Sequence, residues 1–189
     1  PIGAWVLRTA CARALAWQRQ GHPTLHVSVN LSARQFQQPD LVDQVRSALA
    51  ETGLDPASLH LEITEACAVQ GAEAGARTLR QLDELGVRLV MDDFGVSYSS
   101  LPHLKRLPLD ALKIDGSFVR EIPRDPDYAA VAEAVIAVGH TLGLQVVAEG
   151  VETADQLDFL AGRRCDSAQG WLLSPPLPEA SLARYLAAM

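Results

Sequence analysis

Apolar and polar positions along this chain alternate in short runs that are separated by amphipathic stretches, and the same rhythm recurs from end to end. Leu7, Cys11, Ala14 and Leu15 recur at helical spacing between about Ala4 and Gln20, with Arg8, Arg13 and Arg19 left for solvent, and Gly21-His22-Pro23 ends that helix. Leu25, Val27 and Val29 then alternate with His26, Ser28 and Asn30, the period of a half-buried strand. Pro39 to Thr52 reads as a helix stopped at Gly53, and Leu59-His60-Leu61-Glu62-Ile63 as the next strand, with Glu65 just beyond. A helix from about Gly71 to Leu85 leads into Val87, Leu89, Val90 and Met91, a buried run that ends abruptly in Asp92 and Asp93.

After the loop 95–100 and a short helix to Arg106, the rhythm continues. Ala111-Leu112-Lys113-Ile114-Asp115 is a strand, Tyr128 to Leu142 an apolar helix, and Gln145 to Glu152 a strand that ends in two more acids, Glu149 and Glu152. Thr153 caps a helix to about Leu160, Cys165 to Gly170 is a short strand holding Gln169, and a helix starts at Pro178. Roughly six strand-helix repeats with short connections predict a parallel sheet of successive right-handed units.

Asn30, Glu62, Asp92, Lys113, Glu149 and Gln169 all fall at or near C-terminal strand ends, the face on which catalytic groups converge in a (β/α) barrel. One polar strand end is explained by a turn; a series of acids with a single lysine is not. Two adjacent carboxylates such as Asp92 and Asp93 repel unless a proton or cation compensates them, which points to a divalent metal. The fold expected is therefore a barrel with a metal site. A doubly wound sheet is the second choice, disfavoured because no Gly-rich phosphate loop is present.

Bulk properties narrow the function. The chain has 189 residues, enough for one domain with a sizeable core. A net charge of −7 argues against binding a nucleic-acid polymer, and no apolar run approaches the roughly 20 residues of a membrane span. Cys11, Cys67 and Cys165 have no paired spacing and fit a reducing, cytoplasmic setting. The five histidines show no ligand spacing, and Trp5, Trp17 and Trp171 are expected as core or interface aromatics.

The motifs Asn30-Leu31-Ser32-Ala33-Arg34-Gln35-Phe36, Glu62-Ile63-Thr64-Glu65, Asp92-Asp93-Phe94-Gly95, Lys113-Ile114-Asp115, Glu149-Gly150-Val151-Glu152 and Gln169-Gly170 run in an order that resembles the EAL domain family, the bacterial phosphodiesterases of cyclic di-GMP. The resemblance covers nearly the whole chain. It implies a modified TIM barrel that uses Mg²⁺ or Mn²⁺, two ions in number, to open cyclic di-GMP to linear pGpG. By motif, Asn30, Glu62 and Asp92 would be ligands of the first metal, with Asp92 bridging to a second held with Asp93. Lys113 would orient the attacking water, Glu149 would coordinate or deprotonate it, and Glu152 would support the metal and water network. Gln169 and Asp115 would lie near the substrate, and Glu65 would steady the loop after Asp93. Ser32 and Arg34 either contact the phosphate or base, or serve only a helix start and a surface pair. The resemblance also implies a homodimer, with the helix after Lys105 as its face, and a parent protein carrying sensory or GGDEF-type domains.

Two departures accompany the resemblance. The chain opens at Pro1-Ile2-Gly3-Ala4-Trp5, inside the family pattern and after its first two strands, so residues 1–189 are expected to be an N-terminally truncated EAL domain without the Glu-Ala-Leu segment. The loop reads Gly95-Val96-Ser97-Tyr98 where the family has Gly-Thr-Gly-Tyr, which removes a hydroxyl and a glycine's freedom. An EAL-like domain that binds cyclic di-GMP or a protein without hydrolysis is the alternative. A metal-dependent barrel of the enolase type, acting on a carboxylate, is the third reading.

Overall fold

Strands β1 (Val27–Asn30) and β2 (Leu59–Thr64) are parallel partners, with Asn30 opposite Glu62 at their C-terminal ends. They belong to the first of two compact units, Pro1–Val90 with Ser99–Leu109; the second comprises Met91–Tyr98 with Asp110–Met189. The computed structural model describes residues 2–69, 72–95, 101–122 and 124–187.

In the first unit, α1 (Ile2–Arg19) buries Leu7, Cys11 and Ala14, the stripe its helical spacing predicts. After β1, Ser32 caps the short α2 (Ala33–Phe36). Helix α3 (Leu41–Thr52) buries Leu41, Val45, Ala48 and Leu49 and ends at Gly53, whose φ of 73° closes the helix in the left-handed region that glycine adopts without a steric penalty. Beyond β2 come α4 (Glu65–Val69), α5 (Ala72–Asp83), the start of β3 (Arg88–Phe94) and α6 (Leu101–Leu104). Leu59, Leu61, Ile63 and Leu89 are fully buried, each contributing about 1.5–3 kcal/mol of burial free energy.

The second unit takes over the end of β3 and adds β4 (Ala111–Ile114), α7 (Gly116–Glu121), α8 (Pro126–Thr141), β5 (Gln145–Ala148), α9 (Ala154–Gly162), β6 (Ser167–Ala168) and α10 (Glu179–Ala187). Strands β4 and β5, and β5 and β6, pair in parallel, with Lys113 beside Val147 and Ala148 beside Ala168. Its core gathers Ile114, Val119, Ala132, Ile136, Val146, Ala148, Val151 and Leu160. Strand order follows chain order, β1-β2-β3 in the first unit and β3-β4-β5-β6 in the second. This succession of parallel strands and helices is the pattern of an incomplete (β/α) barrel.

The differences from the sequence reading are local. The helix read from about Gly71 to Leu85 is α5, whereas α4 ahead of it and α7 are additional, and β6 is two residues long. Trp5 is 63% and Trp171 72% exposed, so neither is a core aromatic. Val96 and Ser97 lie outside the described residues. Among the described residues no helix is long and apolar enough to cross a membrane.

Candidate active site

Strand β4 delivers Lys113 into the interior of the second unit, where it is only 4% exposed. A buried ammonium is costly unless it is paired. Its Nζ lies 3.3 Å from Asp92 Oδ1 and also forms an ion pair with Glu149 Oε1. Glu149 directly follows β5, and its N–H donates to the Ile114 carbonyl at 3.1 Å, so the backbone ladder itself sets where this carboxylate begins.

Asp93 adopts φ 54°, a left-handed conformation that non-glycine residues occupy only at a cost. Its N–H donates to Asp92 Oδ1 at 3.1 Å. Burial, then the neighbouring Asp92 and Asp115 carboxylates, push the Asp93 carboxyl above the ordinary range. Asp115 caps α7 by accepting from the Ser117 N–H at 2.8 Å and from the Ser117 hydroxyl. Burial pushes its carboxyl up, but those bonds and one with Asp93 together bring it below the usual carboxylate value.

Backbone packing draws the loops after β4, β5 and β6 to one end of this unit. Gly150, at φ 67°, approaches Gly116 so closely that a Cβ on it would stand 3.2 Å from the Gly116 Cα. A Cβ on Gly170 would stand 2.1 Å from the Val151 carbonyl oxygen, a separation no side chain tolerates. Val151 donates to the Gln169 carbonyl and accepts from the Leu172 N–H, both at 3.0 Å. Asp115, Glu149, Glu152 and Gln169 therefore issue from loops locked together by glycines, with Glu152 and Gln169 exposed. The sequence reading found the cap at Thr153 but passed over Gln156, which is 3% exposed and accepts from the Glu152 N–H at 2.7 Å. Thr-x-x-Gln was the signal for it.

In the first unit Asn30 and Glu62 are neighbours at the ends of β1 and β2, and the Leu31 N–H donates to the Glu62 carbonyl at 2.8 Å. Glu62 is 5% exposed. Glu65, at the start of α4, is 2% exposed, and neither of its carboxylate oxygens has a hydrogen-bond partner among the described residues. The Ser32 hydroxyl accepts from the Gln35 N–H as the cap of α2 and donates to the Gln35 amide oxygen, while Arg34 is exposed.

Within the second unit, Asp92 and Glu149 pair with the Lys113 ammonium, Asp93 neighbours Asp92 and Lys113, and Asp115 neighbours Asp93, an excess of negative charge that a divalent cation would neutralise. The donors are carboxylate oxygens, the hard ligands that suit Mg²⁺ or Mn²⁺. The residues present thus fit such an ion.

Residues 1–176 match the family described as "EAL domain". The chain is 47% identical over 186 residues to the bifunctional diguanylate cyclase/cyclic di-GMP phosphodiesterase MucR of Pseudomonas aeruginosa, covering 98% of this chain and 27% of that protein. It is 35% identical over 185 residues to the cyclic di-GMP phosphodiesterase PdeR of Escherichia coli, covering 98% of this chain and 28% of PdeR. Among solved structures, the PaMucR phosphodiesterase in complex with c-di-GMP superposes with a TM-score of 0.93 at 48% identity, over 96% of this chain and 73% of that one. The EAL domain of Mycobacterium smegmatis DcpA superposes with a TM-score of 0.92 at 42% identity, over 98% and 84%. The chain thus spans under a third of the curated relatives it matches.

Proposed function

The chain belongs to the EAL domain family, and from that membership we propose that it carries the catalytic residues of a metal-dependent phosphodiesterase that hydrolyses cyclic di-GMP to linear pGpG. The observation that carries this reading is the buried Lys113 ammonium paired with Asp92 and Glu149 at consecutive strand ends. Such an arrangement has a cation to receive a phosphate and a carboxylate to receive a proton.

Asn30, Glu62, Asp92 and Asp93 would hold two Mg²⁺ or Mn²⁺ ions. When bound, these supply Lewis acidity and lower the pKa of a coordinated water. Lys113 would orient the attacking water and offset charge on the phosphate. Glu149 takes its proton as the water oxygen bonds to phosphorus; the P–O3′ bond breaks, the 3′ oxygen is protonated, and the phosphate stays on the 5′ side, as pGpG requires. Glu152 supports the metal and water network, Gln169 and Asp115 border the substrate, and Glu65 steadies the loop after Asp93. Ser32 and Arg34 are further candidates for contact with the substrate phosphate or base.

The setting we assign is the bacterial cytoplasm, in a longer protein with sensory or GGDEF-type domains, associating as a homodimer. The cyclase half of the MucR name supports the neighbour. Val96 and Ser97 in the loop sequence favour the second reading, a domain that binds cyclic di-GMP without turnover.

Cyclic di-GMP hydrolysis with Mg²⁺ or Mn²⁺, measured on this chain and on a version extended upstream within its parent, decides between them. Production of pGpG supports the phosphodiesterase; nucleotide binding without product by the extended version selects the sensor.

A further inference from the structure

Gln156 occupies the third position of α9 and, with Thr153, forms a capping box. An ordinary box of this kind sits on the surface and satisfies its own helix end. Helix α2 carries one: Gln35 bonds the Ser32 N–H at 3.3 Å and the Ser32 hydroxyl at 2.7 Å, with both bonds open to solvent and Gln35 half-buried.

The box at α9 is built differently in three respects. Gln156 is 3% exposed. Its Oε1 accepts two backbone N–H groups rather than one, from Thr153 at 2.9 Å and from Glu152 at 2.7 Å. Its Nε2 donates in the opposite direction, to the Arg120 carbonyl of α7 at 3.4 Å. Helix α7 is the one that Asp115 caps, directly after Lys113 and Ile114. One buried amide therefore links the loop carrying Glu149 and Glu152 to the segment carrying Lys113 and Asp115.

We infer that Gln156 is a positioning residue for the hydrolytic site, fixing the backbone from which Glu152 projects relative to α7; this rests on the phosphodiesterase reading above. The choice of glutamine over glutamate follows. Glutamate is an equally good capping-box residue and favours a helix N-terminus, but it has no N–H to donate. At this position it would set a buried carboxylate oxygen against the Arg120 carbonyl and add a negative charge at the backbone of Glu152. A helix cap alone would accept the exchange; a clamp between two loops of an acidic site would not.

The test uses the complete parent protein, with Gln156→Glu, Gln156→Ala, Glu152→Ala and the Glu152→Ala/Gln156→Ala double variant. Folding is checked by circular dichroism, and kcat and KM for cyclic di-GMP are measured across a Mg²⁺ titration. The expected result is a kcat roughly 10- to 100-fold lower in both Gln156 variants with KM little changed, the size of loss that small misplacements of a catalytic group produce. The Mg²⁺ concentration for half-activation should rise, and the double variant should lose no more than Glu152→Ala alone, because both substitutions remove one contribution. Should Gln156→Ala fail to fold, the near-isosteric Gln156→Glu carries the test. Wild-type kcat in Gln156→Glu, or losses that multiply in the double variant, would overturn the inference while leaving the phosphodiesterase reading intact. A wild-type protein that makes no pGpG would overturn both.

Discussion

The Lys113 ammonium lies 3.3 Å from an Asp92 carboxylate oxygen in a setting where the lysine is almost wholly withdrawn from water. Lys113→Met should leave Asp92 and Glu149 without their shared cation. Removing one partner of a buried pair costs about 3–5 kcal/mol, and the partly exposed carboxylates put this case at the lower end. Urea unfolding in metal-free buffer measures it, and Mg²⁺ should restore part of the loss in the variant. An unchanged unfolding midpoint would mean that the pair contributes nothing.

Glu149→Gln keeps the shape of the side chain and removes its ability to take a proton. In the complete domain pGpG formation should fall by about 10²- to 10⁴-fold, the usual worth of a general base. Cyclic di-GMP binding by calorimetry should persist. Turnover at the wild-type rate would remove Glu149 from its assigned role.

Two glycines make a paired test of packing. A Cβ at Gly170 meets Val151 backbone atoms at 2.1 and 2.3 Å, whereas one at Gly3 meets the far end of the Gln35 side chain at 2.2 Å. Backbone cannot step aside and a side-chain amide can. Gly170→Ala should cost ~3 kcal/mol and Gly3→Ala under ~1 kcal/mol in chemical denaturation, within the span known for overpacking. Equal costs would contradict the packing at Val151.

Asp93 and Asp166 should give opposite pH signatures. Asp166 is buried enough to push its carboxyl up, but the Val146 N–H at 2.7 Å and His140 at 2.9 Å pull it below the ordinary value. Its stabilisation is thus complete above the unfolded pKa near ~3.9 and is lost as pH falls through the lower folded value. Wild type should exceed Asp166→Asn in stability at pH 7, and the gap should close below about pH 4. Asp93 has a raised carboxyl, so its ionised form opposes folding. Asp93→Asn, which also suits a left-handed backbone, should be the more stable protein at pH 7 in metal-free buffer. That gap should close as pH falls through the raised folded value. Parallel pH dependences for the two variants would contradict the opposite directions.

Strand alternation made β1 legible, because Ser28 and Asn30 are exposed while Val29 is buried. The acids and Lys113 announced themselves as polar residues at the ends of apolar runs. Helix α7 escaped because it is short and begins with Gly116, a poor helix former, so only the Asp115 cap marks it. The strand expected at Cys165–Gly170 is shorter because, once the Gln169 N–H has bonded the Ala148 carbonyl, the chain turns to pack Gly170 against Val151. Gln156 did not stand out, although its capping-box signal was present, for another reason. Ser32-x-x-Gln35 and Thr153-x-x-Gln156 read alike, and only burial and the partner at Arg120 distinguish them.

The position of Trp171 has an optical consequence. The indole is 72% exposed and lies two residues beyond Gln169. Its emission should be of the long-wavelength kind characteristic of wet tryptophan. With Trp5 and Trp17 replaced by phenylalanine, any polypeptide or ligand that covers this end of β6 would shift the remaining emission to the blue, giving the protein an intrinsic fluorescent reporter beside its candidate substrate residue.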